Sequence, residues 1–226
     1  MIEEINKKLI SLSGNNNLYY SNVIPSSKKT YGVTIPNLRT IAKEIAKNNY
    51  KYFLENNPLD TLEMEVLQSL VIGYAKDDID VLLKYLDEYI PKIHDWCTCD
   101  TLCQNFKIAR KYPDRVLEIL LKYKKSNKEY EVRVIAVLLM SHYLNDKYID
   151  KVIKIIDKLK ANDYYSRMGV AWCVATIMAK YPEKCLKYLE NNNLDEWTFN
   201  KSIQKMKESF RVSQEIKECI NNKYKK

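Results

Sequence analysis

The sequence predicts an all-α protein, and three observations carry that prediction. Only four glycines and six prolines interrupt the 226 residues. Apolar residues recur at three- and four-residue spacing almost throughout, as at Val132, Ile135, Ala136, Leu139 and Tyr143. Short polar or proline-marked joints then divide the periodic stretches: Asn56-Asn57-Pro58, Lys76-Asp77-Asp78, Tyr112-Pro113, Asn145-Asp146, Ala161-Asn162-Asp163, Tyr181-Pro182 and Asn191-Asn192-Asn193.

Taken in order, the chain opens on the amphipathic MIEEINKKLISL. It then passes through SGNNNLYYSNVIPSSKKTYGVTIPN, which is rich in polar and turn residues. From there the pattern settles. DDIDVLLKYLDEYI, KYIDKVIKIIDKL, PEKCLKYLE and SQEIKECINN read as one recurring amphipathic helix. Comparable points of successive helix pairs lie about 34 residues apart, as with EYEVR ending at Arg133 and DYYSR ending at Arg167. Antiparallel hairpins of this length bury a continuous core by stacking on their neighbours. The expected fold is therefore an α-solenoid superhelix of the HEAT/armadillo kind. One domain over residues 1–226 is expected, with residues 1–60 as an atypical N-terminal cap and about 61–222 as helical repeats.

With 46% hydrophobic residues the chain can bury a substantial core, yet no stretch reaches the roughly 18 unbroken apolar residues of a membrane span. The charged N-terminal helix does not read as a signal peptide. A monomeric cytoplasmic protein is expected, with its six cysteines reduced. Lys and Arg outnumber Asp and Glu by 37 to 29, for a net charge of +8. The resulting pI near 9.0 favours a polyanionic partner such as nucleic acid.

One short stretch, IHDWCTCDTLCQN from Ile93 to Asn105, concentrates chemistry-bearing side chains. A metal site would draw on His94, Cys97, Cys99 and Cys103, but on one helix these point in different directions, so no metal is expected. A catalytic thiol would need a base or a helix terminus to lower its pKa, and the sequence shows neither. There remain Trp96 and Asp100, one helical turn apart on a shared face. The ordinary reading packs Trp96 between hairpins and uses Asp100 as a cap or a lysine partner. Trp172, mid-helix among Gly169 and Ala171, lies about two hairpins further on, where a curved array would turn it toward the same wall. Two indoles and a carboxylate suit hydrolysis of an N-glycosidic bond. The carboxylate stabilises oxocarbenium charge and orients water, and the aromatic faces add their negative quadrupoles. A base already made cationic by N-alkylation departs without a general acid.

At these residues the chain resembles the HEAT-like-repeat DNA alkylpurine glycosylases, the AlkD type of DNA alkylation repair enzymes. The resemblance runs from YGVTIPNLRTIAKEI at Tyr31 to KSIQKMKESFRVSQEIKE near Glu218. It includes the P-x-L-R entry at Pro36 to Arg39, the W-x-x-x-D element at Trp96 to Asp100 and the GVAW element ending at Trp172. It implies a C-shaped array whose basic concave face holds alkylated duplex DNA, with no cofactor and with the lesion left in the duplex rather than flipped out. Asp100 would stabilise the sugar cation and position water, and Trp96 and Trp172 would contact backbone and sugar. A basic family position falls at Arg133 or at its neighbour Val134, a second family arginine is replaced by Ala175, and Tyr19 or Tyr20 matches an N-terminal contact loosely.

Arg39, Lys107, Arg110, Lys111, Arg133, Arg167, Lys201, Lys205 and Arg211 are candidate phosphate contacts, with solvated surface charge as the alternative for each. Lys107, Arg110 and Lys111 are expected on one face beyond Asp100. Trp197 reads as a packing residue. The leading expectation is a DNA glycosylase excising 3-methyladenine or 7-methylguanine. A non-catalytic DNA-structure binder and a protein-interaction scaffold remain as alternatives.

Overall fold

The computed structural model describes residues 1–14, 22–24, 26 and 28–224. Tyr19 and Tyr20 lie outside these described residues. The all-α expectation is met, for thirteen α-helices make up the described fold and pairing of extended chain is confined to an isolated bridge between Lys29 and Thr61. No helix among the described residues is long and apolar enough to cross a membrane.

The chain divides into two compact units, Met1–Ile119 and Leu120–Lys226. The first begins with α1 (Ile2–Ser11), α2 (Ile35–Asn48), α3 (Tyr50–Asn56) and α4 (Leu62–Tyr74). It continues with α5 (Ile79–Tyr89), α6 (Trp96–Asn105) and most of α7 (Pro113–Lys122). The second contains α8 (Glu129–His142), α9 (Ile149–Ile156), α10 (Tyr164–Lys180), α11 (Pro182–Glu190), α12 (Glu196–Glu208) and α13 (Gln214–Lys223).

Helix starts follow the joint chemistry read from the sequence. Thr61, Asp78, Asp95, Asp195 and Ser213 each accept a hydrogen bond from a backbone N–H of the following turn, and Asp163 forms a reciprocal capping box with Ser166. Pro36 and Pro182 fall within the first two residues of α2 and α11, where a missing N–H costs nothing.

Two kinds of helix alternate. α4, α8 and α10 are buried on nearly every side, whereas α5 and α11 bury one stripe. In the first unit α4 packs against α2 and α6; in the second α10 packs against α8 and α12. The 34-residue period reappears in the contacts between neighbouring hairpins. Tyr181 hydroxyl donates to Asp146, Lys184 to Asp150 and the backbone N–H of Asn193 to Asp157, with partners 34 to 36 residues apart.

Close approach of α4 and α6 depends on a glycine. A Cβ at Gly73 would lie 2.8 Å from Cβ of Asn105 and 2.9 Å from its carbonyl carbon and oxygen. Gly73→Ala must therefore push the two helices apart. Destabilisation of about 1–3 kcal/mol is expected from the denaturation midpoint, and a variant as stable as wild type would contradict the packing.

Candidate active site

The stretch Ile93 to Asn105 is not one continuous helix. Ile93 and His94 precede α6, Asp95 caps it, and Trp96 is its first residue. Asp95 is fully buried, and its carboxylate accepts from Thr98 backbone N at 2.8 Å and from Thr98 Oγ1 at 2.5 Å. The capping role weighed for Asp100 thus belongs to Asp95. Asp100 stands one turn into the helix, half-buried like Trp96. The indole N–H of Trp96 donates to the Val23 carbonyl at 3.1 Å, which fixes the ring at its polar edge. Trp96 and Asp100 are therefore held on one helix by a buried cap below and a backbone anchor from the N-terminal segment.

The thiols of this stretch are buried or held protonated. Cys99 and Cys103 face the core and are fully buried. Burial, with Asp95 and Asp100 adding to it, pushes the Cys97 thiol up to about 12. In the second unit Cys173 and Cys185 are also fully buried; burial raises both, Cys185 to about 12, while Cys219 is exposed. Among the described residues no three His, Cys, Asp or Glu side chains gather as a metal site.

Trp172 is half-buried in α10, between the fully buried Ala171 and Cys173. One turn on, Ala175 occupies the buried position where the resemblance would place an arginine.

The candidate phosphate contacts divide into several kinds. Arg39, Lys107, Arg110, Lys111 and Arg211 are exposed, and Lys201 and Lys205 are half-exposed. Lys107, Arg110 and Lys111 do not share an α-helical face. α6 ends at Asn105, Phe106 turns the backbone, and Lys107–Arg110 is a 3-10 helix. At three residues per turn Lys107 and Arg110 stay aligned, while Lys111 turns its ammonium over the Tyr112 ring. Arg133 is only 6% exposed, and its Nη1 donates to the Tyr165 carbonyl at 2.8 Å. It lies against Gly169, where a Cβ would stand 3.2 Å from Arg133 Cγ. Arg167 and Lys201 come together on Trp197, with Arg167 Cζ 5.9 Å and Lys201 Nζ 5.5 Å from the ring centroid. Arg167 also lies 3.7 Å from Asp195. The packing expected of Trp197 is thus against cations and against the Tyr164 ring.

Sequence reasoning passed over two acids that support this site. Glu63 and Glu65, both 1% exposed, sit in the otherwise apolar start of α4. Glu63 Oε1 accepts from Thr30 Oγ1 at 2.7 Å and from the backbone N–H groups of Tyr31 at 3.0, Gly32 at 2.9 and Val33 at 3.3 Å. Gly32 makes this cradle possible with its φ of 73°, in the left-handed region. Glu65 binds Lys28. Two carboxylates inside an apolar helical run, LEMEVLQSLV, were the available signal.

No curated protein matches the chain. The family model described as DNA alkylation repair enzyme matches residues 7–206, a span that takes in α2 to α11 whole and holds Trp96, Asp100 and Trp172. With that match covering most of its length, the chain belongs to the DNA alkylation repair enzyme family.

Proposed function

We propose that the protein is a monofunctional DNA glycosylase that hydrolyses the N-glycosidic bond of cationic N-alkylated purines of the 3-methyladenine or 7-methylguanine type. The observation that carries this reading is the Trp96–Asp100 pair on α6, with the capping duty taken by Asp95, in a chain of the alkylation repair family. As the bond to the alkylated base breaks, positive charge grows on the sugar ring. The Asp100 carboxylate offsets that charge and aligns the attacking water, and the Trp96 indole presents its ring face to the sugar. The family resemblance would give Trp172 the part of a second indole. The alkylated base leaves as a neutral molecule, so the reaction requires no general acid.

Incubating the purified protein with methylated duplex DNA and analysing the supernatant by chromatography tests this directly. Free alkylpurine with an abasic site left behind is expected, and intact DNA after prolonged incubation would refute it. Arg133 is bonded to the Tyr165 carbonyl within the fold, and Ala175 stands where the resemblance would place an arginine; both departures bear on DNA affinity rather than on bond breaking. The competing reading, a DNA-structure binder without excision, predicts duplex binding that weakens steeply with salt and no released base.

A further inference from the structure

The acid beside the Trp96 anchor has an unusual set of partners. Glu65 Oε1 accepts from Lys28 Nζ at 2.6 Å and lies 3.1 Å from His94 Nε2, while Oε2, buried in the fold, has no hydrogen-bond partner. Lys28 Nζ also donates to the carbonyl of Leu59, whose φ of 52° places it in the left-handed region. The other ring nitrogen of His94, Nδ1, lies 2.8 Å from the Lys92 carbonyl.

Hydrogen-bond chemistry counts the protons here. A carbonyl oxygen only accepts, so Nδ1 carries a hydrogen. Nε2 and Glu65 Oε1 can then bond only with one more proton between them, as imidazolium and carboxylate or as neutral ring and carboxylic acid. The His94 side chain is 45% exposed, which gives that proton a path to water.

The same N-terminal segment that supplies Lys28 supplies Val23, whose carbonyl receives the Trp96 indole N–H. His94 itself stands two residues before Trp96. We infer that Glu65, Lys28 and His94 form a proton-dependent clamp that holds Lys28 against the start of α6, on the side where Val23 receives the indole, and so positions Trp96. This inference rests on the reading of Trp96 as a site residue.

The charged and titratable groups around Glu65 are few. Lys28 precedes α2, and His94 and Asp95 come from the turn that leads into α6. Tyr89 comes from the end of α5; burial, with Glu65 and Asp95 adding to it, keeps its hydroxyl neutral. Burial pushes the Glu65 carboxyl up, against the pull of Lys28 and His94. The fold therefore favours the protonated carboxyl. Stability from the clamp is present at low pH and is lost as pH rises and the Glu65 carboxyl gives up its proton, when a ring lone pair is left facing a carboxylate.

The test is the indole N–H resonance of Trp96 in the ¹⁵N-labelled full chain, identified by its absence in Trp96→Phe and followed against pH in wild type and in His94→Gln. The glutamine amide donates to Glu65 at every pH without titrating. A single-step shift is expected in wild type, and one that is lost or displaced in His94→Gln, where the Glu65 carboxyl alone can titrate. If base release has been demonstrated, KM for damaged duplex should rise severalfold across the same step in wild type alone. A wild-type resonance that does not move with pH, or one that moves identically in both proteins, would overturn the clamp. The spectra do not depend on excision, so failure of the glycosylase reading remains distinguishable from failure of the clamp.

Discussion

Asp100→Asn is expected to remove base release while leaving duplex binding in place. The amide has the shape of the carboxylate but no charge, so the sugar cation forms without its counter-ion and water loses its strongest acceptor. By analogy with loss of one group that stabilises transition-state charge, the single-turnover rate should fall by at least about 10²–10³-fold. Mobility-shift titration would report binding and chromatography of the freed base would report the rate. Excision at the wild-type rate would remove Asp100 from the chemistry. Because Asp95 holds the N-cap of α6, the helix should survive the change, and circular dichroism provides that control.

Glu63→Ala should be the most damaging single change to the fold. Its Oε1 is the acceptor for three consecutive backbone N–H groups and the Thr30 hydroxyl, and its bonds to Gly32 and Val33 are buried. Removing it strands two buried donors at about 1–3 kcal/mol each, so a loss of at least about 2 kcal/mol is expected. In a chain of this length that corresponds to roughly 4–8 °C in the melting temperature. Glu63→Gln keeps an acceptor oxygen and should fall between the two. A melting temperature unchanged in the alanine variant would mean that the 30–33 turn is held by other contacts.

Much of the fold was legible because helix formation is local. The apolar period marked the helices, and the joints at Asn56-Asn57-Pro58, Tyr112-Pro113 and Tyr181-Pro182 fall at helix boundaries. The break after Asn105 was not legible, since Cys97 through Arg110 continues an acceptable helical pattern. It is the tertiary burial of Phe106 that coincides with the turn into a 3-10 helix. That turn is why Lys111 departs from the face predicted for it. At the site, the shared face of Trp96 and Asp100 followed from spacing alone. The partners of Glu63 and Glu65 among residues 28 to 33 did not, because they lie 30 or more residues away in a stretch without periodicity, and a buried carboxylate declares its partner only once the chain is folded. Arg133 failed to read as an interior residue for the same reason: the carbonyl that receives it belongs to the next hairpin.

The raised and buried thiols have a consequence for a member of an alkylation repair family. The electrophiles that methylate DNA also attack sulfur, and they react with thiolate far faster than with thiol. Cys99, Cys103, Cys173 and Cys185 are closed off by the surrounding side chains, and Cys97 is held protonated, so Cys219 at the surface is the sulfhydryl left open to attack. The residue sits in α13, beyond the residues matched by the family model, whereas the four interior thiols would have to be exposed by unfolding before an electrophile reached them.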